Sequence, residues 1–403
     1  MITRLKIIGY KCLREVDLRL TPLCVLVGPN DSGKTSLLEA LTTLAATSTQ
    51  PFDQVFTGGK SMTQVAWKGS EAPVIQWYLE LGGIADSAGE PLRYALHVSR
   101  LPGVEVPKVS DEKLRCGNTL LLSSTNDGNV MNAENKKILS ANPRAFSALC
   151  NLSHDGRLHE IPRAAEMHTS ISSIQHFQLD PAELARPAPF LAGSTPTMDD
   201  RGFGLASLLS ALKLADYPRF AQIEDGLREV IPSIQNVNIH SINLSDGRPG
   251  YSLAFSLAGS GWEVPAEHAS AGVLLFLGYL TLVLTSKAHG TLLIEEPEAG
   301  IHPRRAREVV TLLRKLTEGV GGMKPTQVIV TTHSPYFVDC VRPKEVLIFR
   351  KTTDGSSKVW RMSDIPYINE WLTEQYLGEL LFNVGEEALT EGTRPSPSEV
   401  AEQ

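Results

Sequence analysis

The chain has 403 residues, of which 42% are hydrophobic and 21% charged. These values exclude a disordered or collagen-like polypeptide and leave room for two or three domains. Asp and Glu number 45 against 38 Lys and Arg, a formal charge of −7, so any nucleic-acid contact needs a local patch rather than a basic overall field.

Residues 3–9 and 14–20 alternate apolar and polar side chains around Gly9-Tyr10-Lys11-Cys12, which predicts two paired strands. This stretch lacks the apolar core of a signal peptide, and a cytoplasmic location is expected. The run 23–27 is apolar throughout, as in a strand buried on both faces. It leads into a Gly/Asn/Asp/Ser turn and a helix from Lys34 to about Ala45. Residues 74–99 are strand-like. Residues 100–175 are broken by Asn, Asp, Gly and Ser, and only a helix over 143–152 is read there. A strand follows at 173–179, then a break at Asp180-Pro181 and Arg186-Pro187-Ala188-Pro189.

Residues 204–215 and 217–230 are amphipathic helices of a small lobe ending at Pro232. Strands are expected again at 235–244, 250–257 and 261–264. The run 272–285 is shorter than the ~20 residues of a membrane span, so it reads as a buried helix and no membrane partner is expected. After it come strands at 291–294, 327–332 and 345–350 and a charged-face helix at 304–316. Residues 389–403 lack apolar content and read as a disordered tail. The five cysteines (Cys12, Cys24, Cys116, Cys150, Cys340) are scattered without a C-x-x-C pair, which argues for a reducing compartment and against a disulfide framework or zinc site.

Three motifs carry chemistry. Gly28-Pro29-Asn30-Asp31-Ser32-Gly33-Lys34-Thr35, followed by Ser36, is a phosphate loop between a strand and a helix. Its backbone N–H groups and the helix N-terminus suit an anion. Lys34 is placed along the β- and γ-phosphates and the Thr35 hydroxyl on Mg²⁺. Second, the strand Leu292-Leu293-Ile294 ends in Glu295-Glu296-Pro297-Glu298, at the sheet edge where ligands of open α/β sheets collect. Glu295 is read as holding the hydration shell of Mg²⁺ and Glu296 as polarising the attacking water. Third, Val328-Ile329-Val330-Thr331-Thr332-His333-Ser334-Pro335 puts His333 at the end of the next apolar strand, as a γ-phosphate sensor.

In this order the motifs resemble the ABC-type ATPases of the RecF/SMC branch, and more narrowly the stand-alone bacterial AAA-type ATPases of OLD/RecF-like character. The likeness spans nearly the whole chain, with 100–175 contributing little. It implies an α/β, ABC-type ATPase head with a mixed sheet around a P-loop core, an antiparallel β subdomain and a small helical lobe. The corresponding divisions are an N-terminal ATPase lobe over 1–180, a helical lobe over 181–233, a C-terminal ATPase lobe over 234–388 and the tail 389–403.

The resemblance further implies a signature segment, matched by Ala269-Ser270-Ala271-Gly272-Val273, in which Ser270 and Gly272 touch the γ-phosphate bound to a second protomer. Ala299-Gly300-Ile301-His302-Pro303 resembles the D-loop across the dimer seam. Lys11 matches a basic residue near the phosphates. Gln178 is the first choice for a Mg²⁺-binding Q-loop residue and Gln76 the second. Glu295 stands where the wider superfamily has Asp. Arg304, Arg305 and Arg307 form a basic cluster, read as a solvated helix face rather than a nucleic-acid contact.

The function so implied is Mg²⁺-dependent ATP hydrolysis driving an ATP-sandwiched homodimer in DNA repair or antiphage defence. The alternative is a nucleotide-gated scaffold that holds a nuclease encoded nearby, or DNA, with incidental turnover. Nuclease activity of the chain itself is not expected, since the residues after Arg350 show no DxD pair like that of the TOPRIM domain in OLD nucleases.

Overall fold

The computed structural model describes residues 1–69, 73–82, 90–100, 106–124, 129–139, 146–190, 193, 196–259, 261–285, 290–319, 325–366, 368–372 and 376–381. The tail expected at 389–403 lies outside the described residues.

The chain opens with β1 (Ile2–Tyr10) and β2 (Leu13–Arg19), an antiparallel pair with Ile7 opposite Val16, and then enters β3 (Leu23–Val27). β4 (Val74–Leu81) and β5 (Leu92–Ser99) return alongside β1. β6 (Lys108–Cys116), β7 (Thr119–Ser124), β8 (Val130–Asn132) and β9 (Lys137–Leu139) extend them. The result is an eight-stranded sheet ordered β2-β1-β4-β5-β6-β7-β8-β9. Much of 100–175 is therefore the outer half of this sheet, followed by helices Ala148–His154 and Ala164–Ser172. The helix expected over 143–152 starts only at Ala148, because Ser147 caps it, accepting the Cys150 N–H at 3.1 Å. Residues 143–145 of that expectation lie outside the described residues.

β10 (Ile174–Phe177) is shorter than the expected 173–179. Asp180 explains the stop: its carboxylate accepts the Ala182 N–H at 2.9 Å and caps a short helix, Pro181–Ala185. The helices Leu205–Ala215 and Tyr217–Val230 fall where their amphipathic pattern puts them. They pack against a small sheet of β11 (Ala188–Pro189), β12 (Ile234–Asn243), β13 (Pro249–Leu257) and β14 (Glu263–Pro265).

The central sheet has six strands in the order β10-β15-β16-β3-β17-β18. β15 (Thr291–Glu295), β16 (Gln327–Thr331) and β17 (Val346–Lys351) run parallel with β3 and β10. β18 (Ser357–Arg361) pairs antiparallel with β17 at the edge; its mixed sequence gave no strand signal. Side-chain parity divides the core. Leu23, Val25, Val27, Leu292, Ile294, Val328 and Val330 enter one hydrophobic cluster with the helices Tyr217–Val230, Ala271–Thr285 and Ala306–Glu318. Cys24, Leu26, Leu293 and Ile329 enter the other, with the helix Lys34–Thr47 and the antiparallel sheet. Burial on both faces is why these strands are apolar runs rather than alternations.

The helix Ala271–Thr285 is buried at every position from Val273 to Leu284. Its uniform hydrophobicity is that of a central core helix, and no helix among the described residues is long and apolar enough to cross a membrane. Gln327 joins the two large sheets. Its amide accepts the Ile2 N–H at 3.1 Å and donates to Ile2 O at 2.8 Å and Thr21 O at 3.2 Å, so β1 is tied to the rim of β16 by an internally satisfied polar group. All five cysteines are free thiols.

Candidate active site

The loop after β3 turns through left-handed backbone at Gly28 (φ 141°), Asp31 (φ 63°) and Gly33 (φ 108°). A Cβ at Gly28 would stand 2.2 Å from Phe349 O, and one at Gly33 2.3 Å from Ser357 Oγ, so both positions demand glycine. Lys34 is 6% exposed, and its Nζ donates back into the loop to Gly28 O at 2.7 Å and Pro29 O at 2.8 Å. The Ser32 hydroxyl is buried without a hydrogen-bond partner. Pro29, Asn30 and Asp31 are exposed, and Asp31 pairs with Lys351 of β17. Ser357 of β18 donates its hydroxyl to Ser32 O at 2.7 Å, and the Cys12 thiol lies 3.4 Å from Ser36 Oγ. The helix Lys34–Thr47 therefore begins in a fixed loop, and a helix start leaves its first N–H groups without helical partners, an arrangement suited to a phosphate.

Three parallel strands end on one rung: Glu295 of β15 is level with Thr331 of β16, and Thr331 with Leu26 of β3. This register brings the acid strand to the phosphate loop. Glu295 Oε2 accepts from the Thr35 hydroxyl at 3.3 Å, and its Oε1 lies 3.0 Å from His176 Nε2. The His176 hydrogen bond, with lesser help from Thr35 and the charge of Lys34, holds the Glu295 carboxyl below its ordinary range against the opposing effect of burial.

Glu296 sits in left-handed backbone, φ 43°, with its N–H donating to Thr331 O at 3.0 Å. For a non-glycine residue this conformation costs about 1–2 kcal/mol, and such strain gathers at functional sites. The turn aims the exposed carboxylate at the rim, where Oε1 lies 3.8 Å from His333 Nε2. Behind them the buried Thr332 donates to Glu298, accepts the Ser334 N–H at 3.0 Å and anchors its own N–H on Leu26 O at 3.1 Å. Burial pushes the Glu298 carboxyl up. Glu298 and Thr332 thus couple the acid turn to the His333 turn, contacts that the motif pattern does not announce.

Lys34, Thr35, Glu295, Glu296 and His333 line one rim; the other expected residues lie as follows. Lys11, itself left-handed at φ 46°, pairs with Glu39 on the phosphate-loop helix. Gln178 is exposed just beyond β10, and Gln76 accepts from the Tyr78 hydroxyl at 2.9 Å within the antiparallel sheet. The β10 side chain that meets Glu295 is instead His176. Ser270 is exposed and caps the helix Ala271–Thr285, with Val273 N–H 3.4 Å from its Oγ, while a Cβ at Gly272 would meet nothing. A Cβ at Gly300 would lie 3.5 Å from that of Ala271, so the signature-like and D-loop-like segments adjoin. Arg305 donates to Val230 O at 3.3 Å, closing the helix Tyr217–Val230, and Arg304 and Arg307 are exposed.

Among the described residues no three His, Cys, Asp or Glu side chains converge into an all-protein metal cage. A Thr hydroxyl and a carboxylate oxygen 3.3 Å apart beside a phosphate loop nevertheless suit a hard divalent cation that keeps water and phosphate in its shell. The unpartnered Ser32 hydroxyl fits the same assembly, since it lacks only an acceptor.

Comparison with known proteins agrees with this geometry. Residues 1–116 match the AAA ATPase domain family, and residues 152–339 match an AAA domain described as a putative AbiEii toxin of a type IV toxin–antitoxin system. An OLD nuclease of Thermus scotoductus is 22% identical over 394 residues, covering 88% of this chain and 63% of its own. The first match spans the phosphate loop, and the second spans the acid strand and the His333 turn. Both matches are to AAA domains, and together they support a likeness to the RecF/SMC/OLD-like ABC-type ATPases.

Solved SMC heads share the fold of this chain. One, bound to the C-winged helix domain of ScpA, superposes with a TM-score of 0.53 at 14% identity, covering 89% of this chain and 97% of its own. Another, with an extended coiled coil and bound to the C-terminal domain of ScpA derived from Pyrococcus furiosus, gives 0.50 at 12% identity, covering 93% and 99%. The chain spans 63% of the length of the OLD nuclease it matches. Nucleotide binding with a divalent metal is the general property of its AAA domains.

Proposed function

We propose that the chain binds ATP with Mg²⁺ and hydrolyses it between two copies of itself. The observation that carries this reading is the shared rung of β3, β16 and β15, which sets Thr35 against Glu295 and Glu296 beside His333. Lys34 and the loop N–H groups hold the phosphates, and Thr35 and Glu295 are the residues that hold the cation. When bound, the cation neutralises phosphate charge. Glu296 accepts the proton of the attacking water, and His333 donates a hydrogen bond toward the terminal phosphate.

The exposed Ser270 and the open side of Gly272, with Gly300 packed beside them, support the homodimer, in which each copy closes its partner's site through a capped helix start. The OLD nuclease relative supports service in DNA repair or antiphage defence, with the cycle holding and releasing a nuclease or other effector. Nuclease action in that name belongs to the longer relative.

Glu296→Gln keeps the shape of the rim and removes the base. Turnover is expected to fall about 10²–10⁴-fold, while ATP with Mg²⁺ gathers the variant into a stable dimer, read by light scattering on a sizing column. Hydrolysis at the wild-type rate would remove Glu296 from its role. Turnover that appears only with an added partner would favour the gated scaffold instead.

A further inference from the structure

Glu295 carries one methylene and one rotatable bond more than the Asp expected at its position, and a longer acid needs a second anchor to hold one oxygen over a cation. The structure supplies that anchor from a different strand. His176 is level with Leu293 in the parallel pairing of β10 and β15, and strand parity puts Glu295 on the same face as Leu293. That face packs against the phosphate-loop helix, because Leu293 shares a core with Leu37 and Leu41. The carboxylate is consequently divided, with Oε1 at 3.0 Å from His176 Nε2 and Oε2 at 3.3 Å from the Thr35 hydroxyl. Both partners are partly shielded, with side chains 25% and 14% exposed for His176 and Glu295.

We infer that His176 is the positioning residue of the cation site: its Nε2–H holds Oε1 of Glu295 so that Oε2 stays beside Thr35. The neutral tautomer suffices, so the imidazole need bring no charge against the cation. The inference rests on the nucleotide-and-cation reading above and adds to it a residue outside all three motifs. Hydrogen bonds that orient a ligating carboxylate are worth roughly 10–100-fold in metal affinity.

The test is a double-mutant cycle on the full chain, with Mn²⁺ as the probe, followed by electron paramagnetic resonance at saturating non-hydrolysable ATP analogue. His176→Leu, which fills the space without a donor, is expected to weaken Mn²⁺ about tenfold or more and to leave analogue affinity in EDTA unchanged. His176→Gln retains a donor of similar reach and is expected to restore most of the loss; it also serves if the leucine variant does not fold. In a Glu295→Asp background the shorter acid no longer reaches residue 176, so His176→Leu is expected to change Mn²⁺ affinity less than twofold. Wild-type Mn²⁺ affinity in His176→Leu, or an equal loss in both backgrounds, overturns the positioning role. Failure of the unaltered protein to bind analogue and Mn²⁺ together overturns the underlying reading instead, so the two failures are distinguishable.

Discussion

The helix Lys34–Thr47 is held along its whole length, whereas the helix Ala271–Thr285 starts in open space. At the first helix's N-terminus, Phe349, Ser357 and Cys12 crowd the loop. In its middle, Trp77 Nε1 donates to Ala40 O at 3.0 Å. Carbonyls at its C-terminal end, which a helix leaves unpaired, meet Ser147 Oγ at Thr47 (2.9 Å), His168 at Ser48 (3.0 Å) and His154 at Thr49 (3.2 Å). At the second helix, Ser270 is exposed and Gly272 faces nothing. In the proposed sandwich, one chain builds the phosphate half of a site and presents the other half outward. Pre-organisation inside the protomer and openness at its surface suit a ligand held by one copy and sealed by another.

Disabling the braced half is expected to have the largest effect. Lys34→Ala removes a charged donor aimed into the loop and leaves Gly28 O and Pro29 O without it. A lost charge-assisted contact of about 3 kcal/mol lowers nucleotide affinity roughly a hundredfold, measurable by fluorescence titration. Wild-type affinity in this variant would break the comparison at its stronger end.

Ser270→Arg probes the open half. The exchange removes the Ser270 hydroxyl that caps Val273 N–H, at a cost of about 1 kcal/mol in stability, while the affinity of a single protomer for nucleotide should stay within about twofold of wild type. Turnover and nucleotide-induced dimerisation should both fall, by about tenfold for each 1.4 kcal/mol of lost contact. Sedimentation with and without ATP reads the result; an unimpaired dimer means that this face is not the seam.

How legible these halves were in sequence follows from where their information lies. The phosphate loop is local, since its glycines, the strand before it and the helix after it sit within about two dozen consecutive residues. Glu295, Glu296 and His333 end strands whose burial on both faces makes them apolar runs, so they too could be placed at one sheet edge. His176 escaped because its partner is 119 residues away and only the β10–β15 register brings them together. β6 escaped for another reason. Its Lys113 and Arg115 face outward while Glu112 faces the core, so charged residues occupy both faces and erase the alternation. Gln178 has the amide and the place near a strand end, but sequence does not reveal which side chain of a strand faces its neighbour's acid.

Glu112 offers the most graded test, spread over a range of pH, because it props the braced half from behind. Its carboxyl is wholly buried, accepts the Tyr94 hydroxyl at 2.7 Å and takes the N–H groups of Ala148 and Leu149 at 2.6 and 3.3 Å. It thereby holds the start of the helix whose Ser147 caps Thr47 O. Burial pushes the Glu112 carboxyl from 4.5 up to about 7, against the pull of these donors toward the charged form. Between those values the folded chain retains a proton that the unfolded chain has released. Stability is therefore fullest below pH 4.5 as far as this group is concerned, falls as pH rises through the window and levels off above about 7. The span is on the order of 3 kcal/mol. Glu112→Gln keeps the shape without an ionisable group, so its denaturation midpoint should change less between pH 5.5 and 8 than that of the wild type, and at pH 8 the variant should be the more stable of the two. An unchanged pH slope in urea unfolding would mean that the donors outweigh burial and that Glu112 serves as a charged cap.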